Sequence, residues 1–133
     1  MVVFPLLPCF VCEMCKKGRY AQCSSYDYYG SRCNGAFAEY IAVKTFNLLE
    51  IPDSVSFEEG AMCEPVSVAL HAVKKAGIKK GDTVLVSGAG PIGLIAGQWA
   101  KILGAKRVRM FDIDSEKIEF CRKSGFSEYQ KND

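Results

Sequence analysis

Four cysteines near the start of the chain have the spacing of metal ligands. Cys9, Cys12, Cys15 and Cys23 form the pattern C-x2-C-x2-C-x7-C. Four thiolates at such short spacing can surround one tetrahedral zinc ion and leave no open coordination position, so the pattern predicts a structural zinc site. An iron–sulfur cluster and four free thiols are the alternatives. The ferredoxin pattern needs a closer fourth cysteine followed by proline, whereas Ser24 follows Cys23.

A glycine-rich stretch forms the second group with a chemical meaning. Residues 88–93 read GAGPIG, a G-x-G-x-x-G. In such a motif Gly88 permits a tight turn, Gly90 lets backbone N–H groups approach a pyrophosphate, and Gly93 lets a helix lie close to a strand. Glycines also cluster in ordinary turns, so the meaning of this motif depends on the elements around it.

Those elements have the order of a βαβ unit. The apolar residues 83–86 predict a continuously buried parallel strand. A helix is predicted from Pro91, followed by Ile92, to residue 103. Residues 107–111 predict a second strand. The helix N-terminus would carry the positive partial charge that holds phosphates. Asp112 follows, where its carboxylate can accept from a ribose 2′-OH and repel a 2′-phosphate. The unit predicts binding of NAD rather than NADP; a doubly wound unit without a nucleotide is the alternative.

Composition narrows the class of protein. The 133 residues carry a net charge of +2, which implies no nucleic-acid partner. No apolar run approaches the ~20 residues of a membrane span, and the opening lacks the features of a signal peptide. We therefore expect a cytoplasmic protein without a membrane partner. In that compartment the seven cysteines are interpreted as metal ligands and free thiols, the latter including Cys33 and Cys121.

The rest of the chain predicts further short elements. They are strands over residues 36–43 and 48–51, a helix capped by Ser56, a helix over 66–75, and a helix capped by Asp114 or Ser115 that runs to residue 124. His71, the only histidine, is expected in the core beside Val68, Ala69 and Ala72. No histidine-rich metal site or catalytic triad can be built from this chain.

Glu64 is the one candidate catalytic side chain. It precedes Pro65 at the mouth of the helix predicted over 66–75. A carboxylate there could bind a catalytic metal. A carboxylate in a first helical turn is more often only a charge stabilised by the helix dipole.

The motifs taken together resemble one family. The cysteine-rich lobe, GAFAEY at residues 35–40, CEP at 63–65, GAGPIG and the strand ending at Asp112 are similar to the zinc-dependent medium-chain dehydrogenases over essentially the whole chain. The resemblance implies an α/β fold class. The first half of a Rossmann-type doubly wound parallel sheet (residues 66–133) would follow part of a GroES-like β domain with a structural zinc lobe (residues 1–65).

The resemblance also assigns roles. The four cysteines match the structural zinc ligands, and Gly88, Gly90 and Gly93 match the coenzyme motif. Glu64 matches a glutamate on or near the catalytic zinc of the polyol branch. Asp112 matches the acid that binds the adenosine ribose, and Lys117 matches a lysine near that ribose. A helix-surface lysine is the ordinary alternative for Lys117.

An activity follows from the same resemblance. Residues 5–32 are most similar to the polyol-phosphate branch, which oxidises galactitol 1-phosphate to tagatose 6-phosphate, and CEP is similar to the sorbitol or iditol branch. The expected parent oxidises a secondary alcohol of such a substrate with NAD and a catalytic zinc, as a homodimer or homotetramer. A zinc-knuckle interaction module joined to a nucleotide-binding unit, and a reductase of the same fold without catalytic zinc, are the alternatives.

The chain is expected to be an internal fragment. The family's other catalytic zinc ligands, a cysteine and a Gly-His-Glu segment, have no match in it. The apolar residues 1–4 have no preceding segment to pair against, and the predicted sheet has few strands. We therefore expect the isolated chain to be catalytically inactive.

Overall fold

The chain forms two compact units. The computed structural model describes residues 1–126 and 128–131, and the units are Met1–Gly60 and Ala61–Asp133. Assignment of the two domains to residues 1–65 and 66–133 stays a prediction.

The first unit is built from two antiparallel pairs of very short strands. Strand β1 (Val2–Val3) pairs with β4 (Leu48–Leu49), and β2 (Leu6–Leu7) pairs with β3 (Asp27–Tyr28). The first residues, which have no preceding segment to pair against, thus pair with a downstream strand. The four-residue helix α1 (Glu13–Lys16) and two 3₁₀ turns lie in the loops between the strands.

A buried asparagine joins the two strand pairs. Asn47 is fully buried at the end of a 3₁₀ turn. Its Nδ2 donates to the carbonyl oxygens of Phe4 at 2.5 Å and Leu6 at 2.7 Å, and the Phe4 N–H donates to the Asn47 carbonyl at 2.8 Å. The amide NH₂ of this buried side chain is thus satisfied by backbone partners on either side of one strand connection, whereas its Oδ1 has no partner among the described residues.

The strand predicted over residues 36–43 is wrong. The structure has bends and irregular backbone there, and the side chains of Phe37 and Tyr40 are exposed. A strand needs a hydrogen-bonded neighbour, and none of the described strands of this unit lies beside residues 36–43. The alternating sequence therefore finds no partner for its backbone groups. The strand predicted over 48–51 forms only as β4.

The second unit has the predicted βαβ order. Strands β5 (Thr83–Ser87), β6 (Arg107–Asp112) and β7 (Glu128–Lys131) form a parallel sheet in the order β5-β6-β7. Helix α4 (Pro91–Ile102) connects the first two strands, and α5 (Ser115–Lys123) connects the second two. The parallel sheet with connecting helices confirms the predicted fold class.

One face of this sheet carries the core. Val84 lies opposite Val108, and Val86 lies opposite Met110, so these side chains share a face. The buried core residues of the unit are Ala89, Leu94, Ala100, Val108, Met110, Ile118, Cys121 and Phe126. Burial of Cys121 confirms that it is a core thiol.

The other face of β5 is open, which contradicts its prediction as a continuously buried strand. Burial alternates along β5, and the Leu85 side chain is 64% exposed. Helices α4 and α5 contact the sheet, whereas α3 (Cys63–Ala76) packs on α4. Among the described residues no helix therefore covers the Leu85 face.

Helix α3 differs from its prediction in two ways. It begins at Cys63, three residues early, so that Glu64 lies inside its first turn. Its buried residues are Ala69 and Val73, and His71 is exposed, so the expectation of a core histidine is wrong. Residues four apart share a helix face, and His71 lies between these two in sequence and therefore turns to the opposite side.

The predicted helix caps are confirmed. The Ser56 Oγ accepts from the Glu59 N–H at 3.2 Å, and the Glu59 carboxylate accepts from the Ser56 N–H at 2.8 Å, which is a capping box for α2 (Phe57–Ala61). Asp114 caps α5 through its carboxylate. Gly104, after α4, has a left-handed backbone with φ of 92°, as is common for a glycine that follows a helix.

Candidate functional site

The four cysteines form one compact cluster in the first unit. The sulfur atoms of Cys9, Cys12, Cys15 and Cys23 all lie within 4.8 Å of one another. Two of the separations, Cys9 to Cys15 and Cys12 to Cys23, are 3.9 Å. Cys33 is exposed and lies outside the cluster, as the spacing predicts.

The local backbone holds the sulfur atoms in place. The Cys12 Sγ accepts from the Cys15 N–H at 3.5 Å and so caps α1. The Cys9 and Cys23 sulfurs accept from the N–H groups of Cys12 and Cys9 at 3.4 and 3.3 Å. Phe10, between the first two cysteines, adopts a left-handed backbone with φ of 62°, which lets the chain turn around its neighbour's sulfur.

This cluster fits a single tetrahedral zinc ion. With Zn–S bonds of about 2.3 Å, the edges of a tetrahedron of sulfur atoms are about 3.8 Å long, close to the observed 3.9 Å. Backbone N–H groups, first that of Cys15, lower the pKa of the Cys12 thiol to about 5, whereas burial raises the pKa of Cys15 to about 12. The Cys9 N–H likewise lowers the pKa of Cys23, so two ligands favour the thiolate, and metal binding would displace the remaining protons.

The glycine motif forms a tight loop at the carboxyl end of β5. Gly88 has φ of 99°, and its N–H donates to the Phe111 carbonyl at 2.7 Å. A Cβ added to Gly93 would lie 1.8 Å from the Gly88 carbonyl oxygen, so only glycine fits there. A Cβ added to Gly90 would meet no atom within 4 Å, and its φ of −74° suits any residue. The space in front of Gly90 is therefore open.

Helix α4 begins directly behind this open space. Gly90 is its N-cap and has no side chain to satisfy the first N–H groups, and Pro91 is its first residue. Within the described residues, the N–H groups of Ile92 and Gly93 have no protein acceptor. An N-terminus in this state is a site for an anion.

Asp112 lies at the end of β6 and faces the glycine loop. Its Oδ2 accepts from the Ala89 N–H at 2.8 Å, and its Oδ1 accepts from the Asp114 N–H at 2.9 Å. These bonds, the first of them larger in effect, lower the pKa of the half-buried Asp112 carboxyl. Asp112 is thus a charged acceptor next to the loop. The motif predicted its position but gave no signal for its bond to Ala89.

Lys117 lies in the first turn of α5, near the same acid. Its ammonium is 3.5 Å from the Asp114 carboxylate, and its charge also lowers the pKa of Asp112. The structure therefore brings Gly88, Gly90, Asp112 and Lys117 to one edge of the sheet.

Glu64 does not join a metal site among the described residues. It is exposed in the first turn of α3, and the cysteine cluster is the one group of three or more metal-binding side chains found in the part of the chain that the structure describes. A role for Glu64 in catalysis stays a prediction.

Comparison with known proteins agrees with this geometry. Residues 1–53 match the family model described as the alcohol dehydrogenase GroES-like domain. The galactitol 1-phosphate 5-dehydrogenase of Escherichia coli K12 is 49% identical over 121 residues, which cover 91% of this chain and 35% of the relative. The chain is thus similar over most of its length to the zinc-dependent medium-chain dehydrogenases. It spans about a third of the length of that curated relative.

Solved structures of the family share this fold. An alcohol dehydrogenase from Escherichia coli CFT073 complexed with NADH has a TM-score of 0.89 and 33% identity, over 98% of this chain and 39% of that one. A zinc-binding dehydrogenase from Sinorhizobium meliloti 1021 bound to NADP has a TM-score of 0.90 and 33% identity, over 98% of this chain and 38% of that one. Dehydrogenases of this fold thus hold either coenzyme. No described helix has the length and apolarity needed to cross a bilayer.

Proposed function

We propose that this chain carries the structural zinc lobe and the adenosine–pyrophosphate part of the coenzyme site of an NAD-dependent polyol or polyol-phosphate dehydrogenase. The open space in front of Gly90 carries the proposal. A pyrophosphate needs close approach to backbone N–H groups, and this loop offers it without displacing a side chain.

The charge of Asp112 favours NAD. Solved members of the family hold NADH or NADP, so similarity to the family alone does not select the coenzyme. The lowered pKa of Asp112 keeps its carboxylate ionised at neutral pH. An ionised acid beside the loop accepts from a ribose 2′-OH and repels a 2′-phosphate. Lys117, already paired with Asp114, would lie on the ribose side of the site.

The zinc lobe has a structural role in this proposal. Cys9, Cys12, Cys15 and Cys23 would hold the ion with all four coordination positions filled, so no position remains for a substrate. A closed site of this kind stabilises the loops that carry its ligands.

Catalysis needs groups beyond the described residues. NAD would accept the hydride, and a catalytic zinc would supply a Lewis acid that lowers the pKa of the substrate hydroxyl. Glu64 is the one residue here with a proposed place near such an ion, and in the described part of the chain it belongs to no group of three or more candidate ligands. We therefore expect the 133-residue chain alone to bind coenzyme without turning over substrate.

The proposed substrate is galactitol 1-phosphate, oxidised to tagatose 6-phosphate. The support is the relative that is 49% identical, a galactitol 1-phosphate 5-dehydrogenase. Oxidation of a sorbitol- or iditol-type polyol is the alternative, supported by the CEP segment. The proposed setting is the cytoplasm, where seven free cysteines persist, and the proposed assembly is a homodimer or homotetramer.

Coenzyme binding can be tested through the single tryptophan. Trp99 lies in α4 and is the only tryptophan of the chain, so energy transfer from it to bound NADH reports binding. We expect saturable transfer with NADH and at least about tenfold weaker binding of NADPH, the effect of one unfavourable charge contact. Gly90→Ala should fold normally and lose binding, because its methyl group would occupy the pyrophosphate space.

A matched variant separates binding from stability. A Cβ added to Gly97 would lie 2.8 Å from the Phe126 ring, within the core. Gly97→Ala should therefore lower stability and leave NADH affinity nearly unchanged. Wild-type protein that binds no NADH, or Gly90→Ala protein that binds it as well as wild type, would contradict the proposed coenzyme site.

A second candidate function is an interaction module built on the zinc lobe. Phe10, Tyr20 and Phe46 form an edge-to-face group with ring centroids 4.9 to 5.7 Å apart, and Phe10 and Phe46 are about half exposed. Exposed aromatic anchors are typical of binding surfaces. If this function is the main one, Phe46→Ala should abolish binding of a protein partner and leave the NADH affinity of the nucleotide-binding unit unchanged.

A further inference from the structure

The carboxylate of Asp112 makes contacts that a ribose-binding role does not require. Both of its oxygens accept backbone N–H groups of the protein itself: Ala89 at 2.8 Å and Asp114 at 2.9 Å. Charge-assisted bonds of this length are among the stronger hydrogen bonds of proteins. One of the two donors belongs to the glycine loop itself.

Ala89 is anchored on both sides. Its side chain is 2% exposed and belongs to the core of the second unit, while its N–H donates to Asp112. The preceding N–H, that of Gly88, donates to the Phe111 carbonyl at 2.7 Å and extends the ladder between β5 and β6. These contacts direct the first half of the loop toward β6. The N–H groups that follow remain for a ligand.

We propose that Asp112 is a positioning residue, whose carboxylate ties the Ala89 N–H to the end of β6 and thereby holds the glycine loop in the shape that receives the pyrophosphate. This inference rests on the proposed coenzyme site and adds to it a role that does not involve the ribose. The network continues through Asp114, whose carboxylate caps α5 at the N–H groups of Glu116 and Lys117.

The chemistry of the two contacts explains why an acid is needed. Each oxygen of Asp112 faces an N–H donor. In Asp112→Asn, the new NH₂ group must face one of these donors, because an amide has a single oxygen. One of the two contacts is then lost although the size of the side chain is conserved.

Two ligands separate the positioning role from ribose binding. ADP carries both the 2′-OH and the diphosphate, whereas 2′-deoxy-ADP keeps the diphosphate and lacks only the 2′-OH. If Asp112 acts only through the 2′-OH, Asp112→Asn should bind 2′-deoxy-ADP as tightly as wild type does. If Asp112 also positions the loop, the variant should bind 2′-deoxy-ADP about tenfold more weakly, the effect of losing one hydrogen bond.

In Asp112→Asn, the effect of the lost charge on binding is opposite in sign to the effect expected from loss of loop positioning. Removal of a negative charge beside the loop favours an anionic ligand, so electrostatics alone would tighten binding of 2′-deoxy-ADP to Asp112→Asn. Glu116→Gln removes one negative charge from the exposed first turn of α5 without touching the loop, and it serves as the matched control. We expect no weakening of 2′-deoxy-ADP binding in this control.

Calorimetric titration of the full 133-residue chain with both ligands measures these affinities. Weaker binding of 2′-deoxy-ADP by Asp112→Asn, with Glu116→Gln unchanged, supports the proposal. Equal or tighter binding by Asp112→Asn overturns it. Thermal unfolding of each variant is recorded alongside, because a purely structural effect would lower the Tm without changing the affinity of the folded protein.

Amide hydrogen exchange in the wild-type chain tests the positioning role of Asp112 without any substitution. In the wild-type chain the Ala89 amide should exchange at least about tenfold more slowly than that of Ile92, which has no described acceptor. Equally fast exchange of the two amides would overturn the positioning role. If wild type binds neither ADP nor 2′-deoxy-ADP, the proposed function fails, and the contact of Asp112 with the loop is then judged by this exchange alone.

Discussion

Substitution of Gly93 by alanine tests the geometry of the glycine loop most severely. The added Cβ would lie 1.8 Å from the carbonyl oxygen of Gly88 and 2.9 Å from its carbonyl carbon. Both are backbone atoms, so no side-chain rotation can relieve the overlap. Helix α4 or the end of β5 must shift by about 1 Å or more to restore an ordinary contact distance.

The cost can be estimated from these contacts. Overpacking of a folded core costs about 1–3 kcal/mol, and a clash with backbone belongs at the upper end of that range. Alanine gains about 1 kcal/mol over glycine inside a helix. The net destabilisation of Gly93→Ala is therefore about 2 kcal/mol. For a chain of this size such a loss lowers the Tm by about 6–10 °C.

Chemical and thermal unfolding followed by circular dichroism measure this effect, with Gly90→Ala as the matched control. A Cβ at Gly90 meets no atom within 4 Å and the backbone there is unstrained, so its stability should stay within about 0.5 kcal/mol of wild type. Equal stabilities of the two variants would refute the close approach of α4 to β5 at this loop.

Two further predictions concern the zinc lobe and pH. The wild-type chain should retain one zinc ion after dialysis, and Cys23→Ser should lose it. Cys33→Ser should keep the ion, because Cys33 is exposed outside the cluster. Elemental analysis measures the zinc content, and retention of zinc by Cys23→Ser would contradict the assignment. The lowered pKa values of Asp112 and Asp114 mean that the unfolded chain binds protons more readily than the folded one. Their stabilisation is therefore full above the unfolded pKa of about 3.9 and is lost as the pH falls through the lower folded values. Urea titrations from pH 7 to pH 3 should show it, and a stability that rises on acidification would contradict it.

The features that could be predicted from the sequence are those whose residues lie close together in the chain. The cysteine spacing, the glycine motif and the caps at Ser56 and Asp114 each depend on residues only a few positions apart, so they could be recognised without knowledge of the fold. The βαβ order followed from the same local signals. These features include the zinc ligands, the glycines and Asp112 of the proposed sites, whereas Lys117 was assigned by resemblance to the family.

The features that the sequence did not predict depend on contacts between residues that lie far apart in the chain. Residues 36–43 alternate like a strand, but a strand forms only where a neighbour offers hydrogen bonds. His71 was expected in the core because the residues around it are apolar, whereas the packing of α3 on α4 selects the face with Ala69 and Val73. The hydrogen bond from the Ala89 N–H to Asp112 joins residues 23 positions apart, so no local sequence pattern could predict it.

The most direct test of the central claim is to map where the coenzyme binds. Amide signals of the isotopically labelled chain would be recorded by NMR during titration with NAD. We expect the largest shifts at Gly90, Ile92 and Gly93, with a second group at Asp112 and Lys117. Shifts confined to residues away from the glycine loop, or no shifts at saturating NAD, would contradict it.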